Sequence, residues 1–264
     1  MARIDEYLAG AVSPRDYDIT PAISALNLFL QRYARSAGVP VGSGTFIRYF
    51  FPRDEGLEKC DLGDGIEGLR GFFLSIRPSF TRLLIDVDVC VSAFVKPGNL
   101  AEVLLRSKKK LEDVATLPKG FLDSNIHVKL THLGYSKPLF GIGPKPPNKM
   151  TYILDGVRRS AKNYFKQKYG KELLHDGDLP VVNVGSTRKP IWVPPELCEI
   201  LPGAVYRGAF NSQAMFATNL PKHEVQFMVG QVFRTLGLTR HLGGQPLESV
   251  FDIQVRAKGI PLSL

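Results

Sequence analysis

The sequence is poor in the residues that most often announce chemistry. Its 264 residues hold three cysteines, Cys60, Cys90 and Cys198, odd in number and far apart. That spacing excludes a disulfide framework and a C-x-x-C metal pair, and fits reduced thiols in a cytoplasmic or nuclear protein. No stretch approaches the ~20 apolar residues of a membrane span. The start, Met1-Ala2-Arg3-Ile4-Asp5-Glu6, lacks the cationic lead and apolar run of a signal peptide, so no membrane partner is expected. The five histidines, His127, His132, His175, His223 and His241, show neither H-x-x-x-H nor H-E-x-x-H spacing, which argues against zinc. A G-x-S-x-G nucleophile elbow and a P-loop are also missing. The expectation is a chain that is not an enzyme and that carries neither metal nor cofactor.

Acidic residues are short too, and unevenly so. Against 34 Lys+Arg stand 25 Asp+Glu, a net charge of +9. Between His127 and Pro190 there are twelve Lys/Arg and only Asp155, Glu172, Asp176 and Asp178 to oppose them, so this stretch is +8 and the rest of the chain +1. Tyr135, Phe140, Tyr152, Tyr164, Phe165 and Tyr169 are threaded through it. Cations that neutralise phosphates, interleaved with aromatic faces, suit a flexible nucleic-acid strand; a solvated basic surface or a membrane-facing patch has the same composition.

Periodicity organises the chain. Residues 21–34 place Ile23, Leu26, Leu28, Phe29, Leu30 and Tyr33 on a broad helical face, with Pro21 in the first turn and Thr20 as the cap. The run 83–91 is β-branched and punctuated by aspartates, and reads as a strand. Its Asp86 and Asp88 share one face. They could hold a metal for nuclease chemistry, but half-buried alternation explains them without one. Gly63-Asp64-Gly65-Ile66-Glu67-Gly68 matches G-x-G-x-x-G, with no apolar strand read before it and acids that would repel a pyrophosphate. Residues 100–111 are helical and end in Lys108-Lys109-Lys110. From Ile126 the texture changes to short strands at 126–131, 150–154, 181–184 and 191–193, with the Pro/Gly-rich 141–148 a loop or hairpin tip. One short helix, Ala161 to Tyr169, is capped by Ser160 and stopped by Gly170. Residues 224–238 carry an amphipathic helical pattern. The fold class read from this is α+β, mostly β, with a small OB-like barrel that carries a helical insertion.

Ser160-Ala161-Lys162-Asn163-Tyr164-Phe165-Lys166-Gln167-Lys168-Tyr169 resembles the signature helix of the PAZ domain of Argonaute proteins. Asp178-Leu179-Pro180-Val181-Val182-Asn183-Val184-Gly185 and Trp192-Val193-Pro194-Pro195-Glu196-Leu197-Cys198-Glu199-Ile200-Leu201-Pro202-Gly203 are similar to the strands that follow it, in the same order. Residues 61–77 and 83–95, with Lys96-Pro97-Gly98, resemble the linker that precedes that domain. The division this implies is 1–40 as the end of the N-terminal domain, 41–107 as first linker, 108–220 as PAZ domain and 221–264 as start of the second linker.

The resemblance implies an OB-like barrel with a hairpin-plus-helix insertion, preceded by an α/β linker region, and between barrel and insertion a pocket for the 3′ end of a small guide RNA, in single-stranded or 3′-overhanging form, within RNA silencing. Carried over by position, Tyr164, Lys168 and Tyr169 contact the terminal phosphate and ribose, His132 contacts phosphate, and Tyr152 packs against the last nucleotide. Tyr135, Lys137 and Phe210 are weaker candidates, because 134–149 and 208–218 are shorter than in many family members. Spacing independently puts Tyr164 and Lys168 on one helix face, with Phe165 turned about 100° away toward a core. The family's 5′-phosphate pocket and slicer domain fall past Leu264, so guide holding without cutting is expected. Other silencing-complex proteins are expected partners, and the alternative reading is an Argonaute-derived scaffold that binds proteins and not RNA.

Overall fold

The computed structural model describes residues 2–42, 47–52, 59–79, 82–110 and 119–208. Residues 224–238 and Phe210 lie outside them, as does the segment read as second linker. The chain divides into two compact units, one of 1–58, 69–92 and 215–264, the other of 59–68 and 93–214.

The first unit opens with α1 (Ala2–Leu8) and α2 (Thr20–Ala37), followed by β1 (Val39–Val41) and β2 (Arg48–Phe50). Next come β3 (Lys59–Gly63), which falls in the second unit, and β4 (Ile66–Ser79) and β5 (Arg82–Val95), which contribute to both units. Their sheet runs β1-β2-β4-β3, with β5 also paired to β4. Pro21 sits in the first turn of α2 as expected, but the cap position is Ile19, and Thr20 is already helical. The side chain that serves this end is Asp18, whose carboxylate accepts the Thr20 N–H at 2.9 Å; the Thr20 hydroxyl and then this N–H hold its pKa below the usual carboxylate range. The apolar face of α2 is narrower than the pattern suggests. Leu30 and Ala34 pack with Tyr49, Phe51, Phe72 and Leu74, while Leu28 and Phe29 are 66% and 58% exposed. Asn27 fixes the helix against β4: its amide donates to the Ile76 carbonyl at 3.1 Å and accepts the Ile76 N–H at 2.7 Å. Along β5, Asp86 and Asp88 face solvent and Val87 and Val89 pack inward, as alternation requires.

The G-x-G-x-x-G run is a hairpin. A strand, β3, does precede Gly63, but another strand follows, where a dinucleotide site needs a helix. Asp64 and Gly65 have φ of 52° and 76°, the two left-handed residues of a tight hairpin turn.

The second unit continues with β6 (Gly98–Asn99), α3 (Leu100–Lys110) and α4 (Lys119–Leu122). Short strands follow: β7 (His127–Leu130), β8 (Ser136–Pro138) and β9 (Gly141–Ile142). A hairpin of β10 (Thr151–Leu154) and β11 (Val157–Ser160) leads into α5 (Ala161–Tyr169), and β12 (Val182–Asn183), β13 (Trp192–Val193) and β14 (Cys198–Ile200) complete it. Leu100, Leu104, Phe121, Ile126, Val128, Leu130, Leu179 and Ile200 form a fully buried core. Burying each such side chain contributes about 1.5–3 kcal/mol.

The expected OB-like barrel is not what these strands build. Among the described residues they form an open four-stranded sheet, β6-β14-β7-β8, an open three-stranded sheet, β13-β12-β9, and the separate hairpin β10-β11. A barrel needs strands long enough to stagger and pair on both sides around a closed circuit, and these are two to four residues long. The break is visible between β8 and β9. Pro138 has no N–H to give a ladder. Leu139 then donates to the Ile126 carbonyl at 2.8 Å, and the next residue, Phe140, donates to the Asn183 carbonyl at 2.8 Å. The chain changes sheets there. Residues 141–148, read as a loop or hairpin tip, supply β9 to the second sheet. The hairpin-plus-helix insertion is present as read.

Asn183, 8% exposed, holds the turn between β12 and β13. Its Oδ1 accepts the N–H groups of Gly185 at 2.9 Å and Ile191 at 3.1 Å, and its amide donates to the Ser186 carbonyl at 3.1 Å. Replacing it by leucine strands two donors, each costing about 1–3 kcal/mol when buried. Asn183→Leu should therefore lower the urea unfolding midpoint by an amount equivalent to at least about 2 kcal/mol; an unchanged midpoint would refute this account of the turn.

Candidate functional site

Helix α5 is built from local signals that agree. The Ser160 hydroxyl accepts the Asn163 N–H at 3.4 Å, and Gly170, at φ 65°, turns the chain out and donates to the Lys166 carbonyl at 3.0 Å. Phe165 is 2% exposed and faces the core, as the helical angle predicts. That orientation leaves Tyr164 and Tyr169 half-buried and Lys168 in solvent. After β7, Leu133 and Gly134 both donate to the Leu130 carbonyl, at 3.1 and 2.7 Å. This tight turn, with Gly134 at φ 77°, brings His132 against α5.

The rings form one cluster. Tyr152 stacks on Tyr164 with centroids 4.9 Å apart and meets Phe165 edge-on at 5.6 Å. His132 stands edge-on to Phe165 at 5.3 Å and to Tyr169 at 4.8 Å. Such geometries contribute about 0.5–1.5 kcal/mol each beyond burial. The cluster forms one wall of a cleft of about 370 Å³ in the second unit. Val184, Pro190, Ile191, Trp192 and Val193 line it from the β12–β13 side, and Leu133, Tyr135 and Lys137 from the turn and β8.

The predicted residues thus converge. His132, Tyr152, Tyr164 and Tyr169 line the cleft, and so do two of the three weaker candidates, Tyr135 and Lys137. Lys168 stands beside it: its ammonium donates to the Tyr164 hydroxyl at 3.0 Å and lies 5.2 and 5.4 Å from the Tyr164 and Tyr169 ring centres. That hydrogen bond, then the two phenols, raises the Lys168 pKa. Burial, then its bond with Tyr164, raises that of Tyr169. Lys137 sits 5.6 Å over Tyr135. Other lysines of the basic stretch are committed elsewhere, Lys166 to Glu172 at 2.7 Å and Lys162 to Asp176 at 3.4 Å. The β12–β13 wall was missed from sequence; Trp192 beside a Gly/Pro turn in the basic stretch was its only signal.

Two polar groups behave differently from the rest. The Tyr152 hydroxyl donates to the Trp192 carbonyl at 2.8 Å, so it is already occupied, and burial raises its pKa. Nδ1 of His132 is buried without a hydrogen-bond partner among the described residues. Burial and then the positive charge of Lys171 push the His132 pKa below its ordinary 6.5. No cluster of three or more His, Cys, Asp or Glu suited to a metal occurs among the described residues, and none of their helices is long and apolar enough to cross a membrane.

A cleft walled by aromatics with cationic and hydroxyl donors on one side, set between a hairpin–helix insertion and small sheets, defines a binding module. Residues 46–96 match the Argonaute linker 1 domain and residues 140–219 the PAZ domain. The chain belongs to the Argonaute family and carries these two domains. Among curated relatives, it is 26% identical over 225 residues to rice protein argonaute 4A, covering 80% of this chain and 24% of that protein. It is 27% identical over 232 residues to Arabidopsis thaliana protein argonaute 10, covering 82% and 22%. The chain therefore spans about a quarter of the length of these relatives. The fold is shared with the Kluyveromyces polysporus Argonaute solved with a guide RNA, at TM-score 0.61 and 18% identity over 81% of this chain and 28% of that one.

The depressed His132 pKa makes a signed prediction. A histidine held neutral in the fold costs nothing above pH 6.5, where the unfolded chain is neutral too; as pH falls below 6.5 the unfolded chain takes up a proton that the folded one refuses, and stability is lost. Moving from pH 7.5 to 5.5 should thus lower the melting temperature of wild type more than that of His132→Gln. Equal losses in the two proteins would contradict a neutral His132 with a buried Nδ1.

Proposed function

We propose that this chain holds the 3′ end of a small guide RNA, single-stranded or overhanging from a duplex, by its terminal phosphate, ribose and last base. The observation that carries this is the convergence of His132, Tyr164, Lys168 and Tyr169 on one side of an aromatic cleft. Its volume, about 370 Å³, is at the small end of ligand pockets and suits the end of one strand. The family membership supports the same reading.

The roles follow from donor chemistry. The Tyr164 hydroxyl accepts from the Lys168 ammonium, so its own hydrogen is free to donate outward, and the adjacent charge polarises it. Lys168 retains further N–H groups for the same anion. Tyr169 offers a second phenol, and the unpartnered His132 Nδ1 a group that an anion nearby would favour in its protonated form. Tyr152 acts through its ring face, since its hydroxyl is engaged with Trp192. The Tyr135–Lys137 pair serves the approaching backbone. Tail holding of this kind is independent of any slicer chemistry, and silencing-complex proteins would contact other surfaces.

The double variant Tyr164→Ala/Lys168→Ala removes one hydroxyl, one charge and one face of the stack. Affinity for an RNA duplex with a two-nucleotide 3′ overhang should fall at least about tenfold, from losses of about 1–3 kcal/mol per stacked base. Wild type should prefer overhanging to blunt RNA, with affinity decreasing steeply as salt rises. A double variant that binds as tightly as wild type would remove the site assignment, and indifference to overhang and salt would favour the protein-binding scaffold.

A further inference from the structure

We propose that the Tyr152 hydroxyl is a latch that fixes the width of the cleft and thereby sets how long a strand end stays in it; the second half of this rests on the RNA-holding reading. Tyr152 belongs to β10, in the insertion, and its hydroxyl crosses to the carbonyl of Trp192 at 2.8 Å. β13 is the edge of its sheet, in the order β13-β12-β9. The Ile191 carbonyl accepts the Val184 N–H at 2.9 Å, so the next carbonyl, that of Trp192, points away from β12 and out of the sheet edge. It has no ladder partner on that side, and Tyr152 supplies one. Among the described residues this is the one hydrogen bond joining β10, β11 or α5 to β13.

The bond is also aimed. The Tyr152 ring is held between Tyr164, stacked at 4.9 Å, and Phe165, edge-on at 5.6 Å, which fixes the direction of the hydroxyl. Tyr164 in turn accepts from Lys168 at 3.0 Å. A continuous series therefore runs from the edge of β13 through Tyr152 and Tyr164 to the ammonium beside the cleft. Losing the first link frees the β13 wall and loosens the ring that positions the donors. Burial favours the neutral Tyr152 phenol, the form that donates to the Trp192 carbonyl.

Tyr152→Phe tests this, because it keeps the ring and removes only the hydroxyl. One net hydrogen bond corresponds to about a fivefold change in population. In the ligand-free protein, amide hydrogen exchange in β10–β11 and at Val193 should rise about fivefold in the variant. Trp192 is the chain's single tryptophan, so its fluorescence anisotropy should fall in parallel. With a labelled RNA bearing a two-nucleotide 3′ overhang, the dissociation rate should rise about fivefold while the association rate changes little. Unchanged exchange in the free variant overturns the latch. Faster exchange with an unchanged dissociation rate overturns its role in residence time. Failure of wild type to bind the RNA would strike the functional reading instead, and the exchange measurement would still decide whether the latch exists.

Discussion

A nine-residue helix is too short to persist in water, where segments below about 12–15 residues are marginal, so α5 exists because Phe165 and Ala161 are buried beneath it. The Phe165 ring alone touches Tyr152, Tyr164, Tyr169 and His132. Each of these is placed by packing on that ring, and each lines the cleft. Interiors are close-packed and resist small displacements, so a single buried phenylalanine sets the positions of four side chains drawn from three separate parts of the chain. The donors of the cleft are consequently prepositioned before any ligand arrives, which reduces the ordering cost that binding must overcome.

Charge is arranged around that packed centre in two ways. Lys162 and Lys166 are neutralised by Asp176 and Glu172 on the surface, and exposed pairs of this kind contribute little to stability. Lys168 has aromatic and hydroxyl neighbours in place of a carboxylate. An ammonium over ring faces keeps its charge available to an incoming anion, whereas one in a salt bridge must first give up its partner. The same helix thus carries lysines that are spent and one that is not. Lys171 adds to the positive potential at His132, which is unfavourable for that imidazole alone and favourable once a phosphate is present.

How much of this could be read from the chain depended on the range of the interaction. The limits of α5 follow from Ser160 and Gly170, caps that act within a few residues, and the structure places them as read. The alternation of 126–131 and 83–91 likewise survives, because a strand with one buried face leaves a period of two. At the start of α2 a local signal misled: Thr20 is a good cap, but Asp18 two residues earlier took the Thr20 N–H, and the helix begins a residue sooner. Leu28 and Phe29 extended an apolar pattern beyond the face that packs. Sheet closure was not legible at all. It depends on which strand each edge meets, and the partner change between Leu139 and Phe140 is settled by Ile126 and Asn183, distant in sequence. The β12–β13 wall went unread for the same reason, since only the fold brings Trp192 opposite Tyr152.

The composition of the cleft bears on what it can distinguish. Its polar lining is His132, Lys137, Thr151 and the tyrosines, all on the insertion and β7–β8 side, and the opposite wall is Val184, Pro190, Ile191, Trp192 and Val193. The forked donor and acceptor pairs that read a base edge most sharply come from Asn, Gln, Asp, Glu and Arg; none of these lines the cleft, and Lys137 and Thr151 offer single polar groups only. What remains is a set of donors suited to phosphate and hydroxyl, and ring and aliphatic faces suited to the flat side of any base. Stacking is sequence-tolerant because every base has such a face. A site built this way favours the chemistry of a strand terminus over the identity of the nucleotide that occupies it, and its selectivity must then come from access, since a duplex interior has no free end to insert.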